Sequence, residues 1–319
     1  MIYYTLRRLG YGAVVMVLVT IIVFVIMRLV PGDAVSLQLQ QVGASKEEAD
    51  ALRAEFGLDD PVWVQLWHWL GSAVQGDLGT SFYSGEPVVD LFLARVPVTV
   101  TLGLLAMLVG SLLGLTVGVI AAVTRGSAVD GILRLIAVAF LSVPNFVVAL
   151  LVLTALAIWF AWSPPLVYAG PTEDFASWLQ QVIIPVLALG TGGMAAVARL
   201  TRSSMLESLG SDYIRTVRAK GVREKTVILK HALRNSTIAV LTLLGLELAT
   251  VLGGTVIIEQ MFGLPGTGQL IYQAVLDRDY PVVVACTIFY AGLFVFTIIL
   301  LDLLYALVDP RIRHGRALS

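Results

Sequence analysis

The sequence predicts an all-α polytopic membrane protein with about six transmembrane helices, and three observations carry that fold class. First, 58% of the 319 residues are hydrophobic and 13% are charged, whereas a water-soluble domain carries about 25% charged residues. Most of the surface must therefore face something other than water. Second, six apolar stretches are long enough to cross about 30 Å of hydrocarbon, which takes about 20 residues of helix. They lie near Leu9–Val30, Val98–Val123, Ile132–Trp159, Val182–Leu200, Thr237–Ile258 and Val282–Val308. Unpaired backbone groups are not tolerated in lipid, so runs of this length are helices. Third, the basic residues sort by loop. One set of loops holds Arg7, Arg8, Arg125, Arg134, a dense group from Arg199 to Arg234, and Arg311, Arg313 and Arg316. The opposite set holds Lys46, Arg53, Arg95 and Arg278. The positive-inside rule then puts both termini in the cytoplasm, as an even number of spans requires.

The first run follows Arg7 and Arg8, the flank of a secretory signal, but it is longer than the 7–15 apolar residues of such a signal. It ends at Arg28-Leu29-Val30-Pro31, and is read as a retained anchor with Arg28 reaching for the outer interface. Residues 31–97 form an extracytoplasmic segment. Ser45 and Glu48 have capping-box spacing, Leu52 and Phe56 are an i,i+4 pair, and Gly57 supplies a stop, so a short helix is expected near Lys46–Phe56. Pro61–Val74, with Trp63, Trp67, His68 and Trp69, reads as an amphipathic helix in the membrane interface. From Pro31 to Arg95 there are ten acidic and three basic residues, which suits either a solvated outer face or a docking surface for an extracytoplasmic partner.

Residues 98–319 make up a core of five further spans. Gly110, Gly114 and Gly118 repeat at four-residue spacing, a stripe where another helix approaches closely. Pro144 and Pro185 are expected to kink their spans. Cys286 lies in an apolar run and reads as a small buried hydrophobe. His68, His231 and His314 have no metal-ligand spacing, and no nucleophile signature is present.

Between the fourth and fifth spans, residues 203–235 read SSMLESLGSDYIRTVRAKGVREKTVILKHALRN. The stretch is too polar to span and too patterned for a linker. Asp212 is expected to cap a helix running to Ala219 or Lys220, with Tyr213, Ile214 and Val217 on one face and Gly221 as its left-handed stop. A second helix from Arg223 to Asn235 places Val227, Ile228 and His231 in register. Basic residues here partly satisfy the topology rule. A rigid helical lever pressed into a cytosolic partner explains in addition the tethered ends, the two faces and the tight turn. Those tethered ends disfavour a nucleic-acid-binding helix-turn-helix.

Phe262–Leu270, FGLPGTGQL, clusters Gly263, Gly266 and Gly268 but lacks the Gly-Lys-Ser/Thr ending of a phosphate loop. It is expected to form an outer re-entrant loop, near 260–281, with Phe262, Pro265, Gly266 and Gly268 lining irregular backbone. Glu247, Glu259 and Asp302 are ionisable groups in or at the ends of spans, and each serves either a neighbouring helix or the transported substrate. Thr250 lies beside them on the fifth span.

At residues 203–235 a resemblance becomes specific. The loop resembles the coupling region of permeases in binding-protein-dependent ABC importers. That family's pattern is Glu-Ala-Ala, three variable residues, then glycine. Here Arg215-Thr216-Val217 and Arg218-Ala219-Lys220 precede Gly221, so the glycine matches and the Glu-Ala-Ala does not. DYIRTVRAKG is similar to the variant of the oligopeptide/dipeptide branch. So are VPGD (30–33), FGLDDP (56–61), GDLGTS (76–81), VPNF (143–146), ARLTRSSMLE (198–207), FGLPGTGQL, RDYP (278–281) and DPRIR (309–313).

The resemblance covers nearly the whole chain and implies a type I ABC importer permease fold, of the subunit type with a long outer segment. It also implies alternating access for di- or oligopeptides in a bacterial cytoplasmic membrane. The partners it implies are a homologous second permease, two cytosolic ATPases (or one fused), and an extracytoplasmic solute-binding protein. The chain is then no enzyme and binds no cofactor itself, with ATP and Mg on the ATPases. The ATPase contact falls on Asp212, Tyr213, Arg215, Arg218, Ala219, Lys220, Gly221, Arg223 and Glu224. A secondary carrier or an intramembrane enzyme would need inverted repeats or a catalytic dyad in the spans, neither of which stands out.

Overall fold

The structure, a computed structural model, describes residues 2–29, 46–55 and 57–308. Every regular element among these residues is helical, apart from an isolated antiparallel bridge between Thr80 and Pro87. In chain order the helices are α1 (Ile2–Leu29), α2 (Lys46–Glu55), α3 (Val62–Val74), α4 (Val88–Val123), α5 (Ala128–Ser142), α6 (Asn145–Phe160), α7 (Phe175–Leu209) and α8 (Asp212–Ala219). The short α9 (Glu224–Thr226) runs through a π-helical turn (Val227–Ala232) into α10 (Leu233–Phe262). Then come α11 (Thr267–Leu276) and α12 (Tyr280–Val308).

Among the described residues four helices are long and apolar enough to cross a membrane, at Arg7–Leu29, Val88–Val123, Phe175–Leu209 and Tyr280–Ile299. Counting the bent pair α5 and α6 as one span makes five. That pair corrects the expectation of one continuous helix over Ile132–Trp159. The chain breaks at Val143-Pro144 and turns through 104°. Pro144 disfavours helical backbone at Val143, which is extended at φ −101°, ψ 125°. The expected second span starts ten residues earlier, since α4 continues through Pro97 back to Val88. The predicted Thr237–Ile258 run is part of a 30-residue helix, α10. Ser45 and Phe56, VPGD and DPRIR lie outside the described residues, as do the side chains of Leu52 and Asp302.

The chain forms two compact units, Met1–Thr99 with Glu259–Phe296, and Val100–Ile258 with Thr297–Ser319. In the first, the core joins Val88, Leu270, Ala274, Val282 and Cys286. Cys286 is fully buried and free, the expected small hydrophobe. α1 meets α12 closely: a Cβ added at Gly12 would stand 2.5 Å from Val295 Cγ1. Arg28, at the end of α1, lines a cavity with Asp60, His68 and Asp77 of the segment that follows the first span. Its guanidinium stacks 4.5 Å over the Tyr280 ring and 5.3 Å over that of Phe24, a cation–π arrangement. α3 buries none of its residues, and Trp63 and Trp67 are 67% and 70% exposed.

In the second unit the glycine stripe does what its spacing predicts. A Cβ at Gly110 would stand 2.6 Å from the Gly190 carbonyl oxygen, and one at Gly114 2.7 Å from that of Met194. At Gly118 it would meet Thr201 Cβ at 2.6 Å. α4 and α7 therefore touch backbone to backbone over two helical turns, an approach that any side chain would prevent.

Candidate functional site

Residues 203–235 leave the end of α7 and fold into two short helical pieces about a left-handed glycine. Ser211, not Asp212, caps α8: its hydroxyl oxygen accepts from the Ile214 amide. Serine is a strong N-cap because its side chain replaces a helical partner for an otherwise orphaned amide. Asp212 becomes the first helical residue, where its charge suits the helix dipole, and pairs with Arg215 at 3.0 Å. Gly221 sits at φ +77° and ends the piece, the conformation glycine adopts without Cβ strain.

One face of this assembly is locked inward. Ile214, Val217, Val227 and Ala232 are buried against Ala122 and Met205, with Val119, Leu206 and Leu209 packed around them. The π turn explains how Val227 and Ala232 share a buried face, since residues five apart align only when the helix widens. Sequence periodicity of 3.6 groups Val227, Ile228 and His231; Val227 and Ile228 do pack in the cluster, while Ala232 takes the place expected of His231. His231 turns back towards α8, where its Nδ1 lies 2.7 Å from the Tyr213 hydroxyl.

The other face is free. All nine residues expected to form a partner contact, Asp212, Tyr213, Arg215, Arg218, Ala219, Lys220, Gly221, Arg223 and Glu224, are exposed. Arg218 forks onto Glu224 across the glycine turn, with Nε and Nη2 donating at 3.1 and 2.6 Å. That hydrogen bonding holds the Glu224 carboxyl below its ordinary value and raises the Arg218 guanidinium. The bridge braces α8 against α9 from outside while the apolar cluster anchors both from inside.

A second polar centre in this unit was not legible in the sequence. Asp130, buried in the first turn of α5, accepts two 2.8 Å bonds from Arg202 of α7 and one of 3.1 Å from the Gly126 amide. Ser127 caps the helix by accepting from the Asp130 amide. The Ser-x-x-Asp spacing was the available signal, but nothing in the sequence ties it to an arginine 72 positions away. Glu247 lies half-buried in α10 beside Gly193 of α7, where an added Cβ would stand 3.3 Å from its Oε2. It has no hydrogen-bond or ion-pair partner among the described residues. Thr250, one turn on, is exposed.

In the other unit the expected re-entrant loop is more ordered than a loop. α10 ends at Phe262, Gly263 turns at φ +62°, and Pro265 leads into the ten-residue α11. Glu259 is fully buried and belongs to this turn. It accepts from Thr99 Oγ1 at 2.7 Å and from the Gln269 amide at 3.0 Å. Thr99 in turn accepts from the Thr267 amide at 2.8 Å. Gly266 is buried, and a Cβ there would collide with the Glu259 carboxylate; Gly268, also buried, opens α11. Two quoted motifs, GDLGTS and RDYP, meet where Ser81 Oγ donates to Asp279 at 2.5 Å and Asp279 also accepts from the Phe82 amide.

Comparison with known proteins identifies the family. Residues 114–314 match the family of the binding-protein-dependent transport system inner membrane component, and residues 1–103 match the N-terminal membrane-component family of the same systems. The chain is 40% identical over 309 residues to a putative peptide transport system permease protein of Brucella abortus strain 2308, covering 97% of this chain and 98% of the relative. It is 36% identical over 339 residues to the dipeptide transport system permease protein DppB of Escherichia coli K12, covering 99% and 100%. Among solved structures it is similar in fold to a chain of the inward-facing MetNI methionine ABC transporter. That likeness has a TM-score of 0.51 at 22% identity and covers 70% of this chain and 96% of the other. With both parts of the chain matched and relatives aligned end to end, the chain belongs to the family of inner-membrane components of binding-protein-dependent transport systems.

Proposed function

We propose that this chain is one of two homologous permease subunits of an ABC importer for di- or oligopeptides, driven by cytosolic ATPases through α8 and α9. The observation that carries the proposal is the division of residues 211–233 into two faces. Ile214, Val217, Val227 and Ala232 are fixed to α4 and α7, while Tyr213, Arg215, Arg218 and Lys220 stand exposed. A short amphipathic helix docked in a partner's groove transmits force only if its own side is rigidly anchored, and this one is anchored by packing, by the Ser211 cap and by the Arg218–Glu224 fork. ATP and Mg belong to the ATPases, whose closure on ATP supplies the movement. This chain converts it into rearrangement of its spans between inward and outward access.

The peptide assignment rests on the names of the relatives and on Glu247. An ionisable group in a span is costly and turns towards a protein interior or an aqueous cavity, and this carboxylate has no internal counter-charge among the described residues. That supports a role in receiving the cationic amino terminus of a peptide, with Thr250 as a neighbouring polar group. Glu259 has both its oxygens engaged by its own chain, which suits a fixed structural role. Asp302 is held as a further pathway candidate.

Purification of the tagged chain tests the assignment. It is expected to bring down a second permease and two ATPase domains. In liposomes, peptide-loaded binding protein should raise ATP hydrolysis. A chain that purifies alone and transports without ATP overturns the reading. Glu247→Gln should weaken uptake of a free-amino peptide about tenfold and leave an N-acetylated peptide unchanged; equal effects on both remove Glu247 from recognition.

A further inference from the structure

We propose that the second unit carries a binding site for an anionic phospholipid, in a groove between α4, α5 and α7. The groove measures about 290 Å³ and is lined by Arg134, Arg199 and Arg202 together with Ala137, Val138 and Leu141. Along α5 it runs from Arg134 to Leu141, about 10 Å at 1.5 Å per residue. One end is cationic and the other aliphatic, the shape of an amphiphile. Its floor is sealed where Gly118 packs against Ala198 and Thr201.

The charge at the cationic end is in excess. Arg202 is committed to the buried Asp130 carboxylate, which Arg134 also approaches at 3.4 Å. Arg199 is exposed and has no ion-pair partner among the described residues. Two guanidinium groups thus share one carboxylate and a third lines the same groove, so Arg134 and Arg199 retain donors that fit phosphate oxygens bidentately. Holding Arg202 on Asp130 also fixes the groove's shape before a ligand arrives.

The aliphatic end opens to the surface rather than into the core. Val138 and Leu141 are 56% and 42% exposed, and Ile132 and Leu135 on the same helix are 57% and 70% exposed. On a membrane helix these residues face acyl chains. Basic pockets between spans at a membrane surface are suited to anionic headgroups. The arginine end lies on the α8 side, since Arg202 is two turns from the end of α7. Assigning it to the cytoplasmic leaflet rests on the orientation proposed above. A headgroup phosphate would sit on Arg134 and Arg199, and an acyl chain would follow Ala137 to Leu141.

The test uses the full chain, purified in detergent with its accompanying subunits, and phosphatidylglycerol carrying a photoreactive group on one acyl chain. Cross-links are expected on residues 137–141, displaced by unlabelled phosphatidylglycerol but not by phosphatidylcholine or glycerol 3-phosphate. R134Q/R199Q should need about fivefold more lipid for each arginine removed, whereas R134K/R199K should keep most of the labelling. Equal displacement by phosphatidylcholine overturns the proposal, and so does labelling confined to other helices. Displacement by glycerol 3-phosphate alone would make this a free-phosphate site. Labelling of the isolated chain that vanishes in the assembled complex would mean the groove is covered by a partner subunit. Either result also overturns the lipid assignment. If R134Q/R199Q fails to fold, the competition in wild type and R134K/R199K still decides. None of these outcomes depends on ATPase binding, so the transport reading stands or falls separately.

Discussion

α8 and α11, one in each unit, are short helices built on the same local plan. Each adjoins a left-handed glycine, Gly221 at φ +77° and Gly263 at φ +62°, and each follows a break after a long helix. In α11 the leading polar group, Thr267, points inward, while Gln273 further along is exposed. Thr267 is fully buried, bonded to Thr99, and Thr99 to Glu259, so each group named here is matched by another of the same chain. In α8 Ile214 and Val217 point inward, and the polar Asp212, Arg215 and Thr216, with Lys220 just beyond the helix, face out. Saturated polar groups in low dielectric make a rigid element, because any displacement leaves one of them unpaired. Exposed polar groups on an anchored helix leave a surface with capacity to bind. The same turn-and-helix device therefore yields a fixed joint in one case and a contact surface in the other.

The contrast is open to attack at both ends. The largest effect is expected at Gly266→Val, which drives two methyl groups into the Glu259 carboxylate. It should cost about 3 kcal/mol and sharply reduce the folded chain recovered from membranes. Wild-type yield and melting temperature would show that the α11 joint is not as tight as its distances say. Gly114→Leu, which separates α4 from α7, should destabilise by about 1–3 kcal/mol, read as a lower melting temperature in detergent. Gly221→Val forces a β-branched residue to positive φ, at about 1–2 kcal/mol. Here the expected signature differs: the chain still accumulates, but uptake is lost and ATP hydrolysis no longer responds to substrate. Normal coupled uptake would sink the lever. The double change Arg215→Ala, Lys220→Ala should move stability by less than about 0.5 kcal/mol and yet weaken co-purification of the ATPases.

The smallest effect concerns pH. Arg218 lowers the Glu224 carboxyl below 4.5, its ordinary value. Its contribution is therefore complete above the ordinary carboxylate range and is lost as pH falls through the lowered value. Both side chains are about half exposed, so a few tenths of a kcal/mol is the expected scale. Melting curves of wild type and Glu224→Gln should converge below that value and differ slightly above it.

Much of this was legible from residue types and spacing. Glycines four apart announced the α4–α7 contact, because no other residue allows backbones so close. Gly221 announced the end of α8, and hydropathy located the long helices. What escaped was non-local or depended on small shifts in helix geometry. Asp130 and Arg202 look like separate surface charges until α5 and α7 are packed together. Proline at 144 signals a kink, but a 104° break depends on what the flanking helices pack against. The π turn at Val227–Ala232 adds one residue to a turn whose sequence, VILKHA, contains no glycine or proline to mark it. Glu259 looked like a pathway candidate because cost alone cannot distinguish a saturated carboxylate from an available one.

The glycine contact between α4 and α7 has a mechanical meaning for the lever. The cluster beneath α8 draws on Val119 and Ala122 from α4 and on Met205, Leu206 and Leu209 from α7. Above that seat the two helices are zipped together at Gly110, Gly114 and Gly118. If α8 docks as proposed, a push delivered at Tyr213 meets a doubled beam, not a single rod free to tilt by itself. The stroke is spread over a pair that can only swing together.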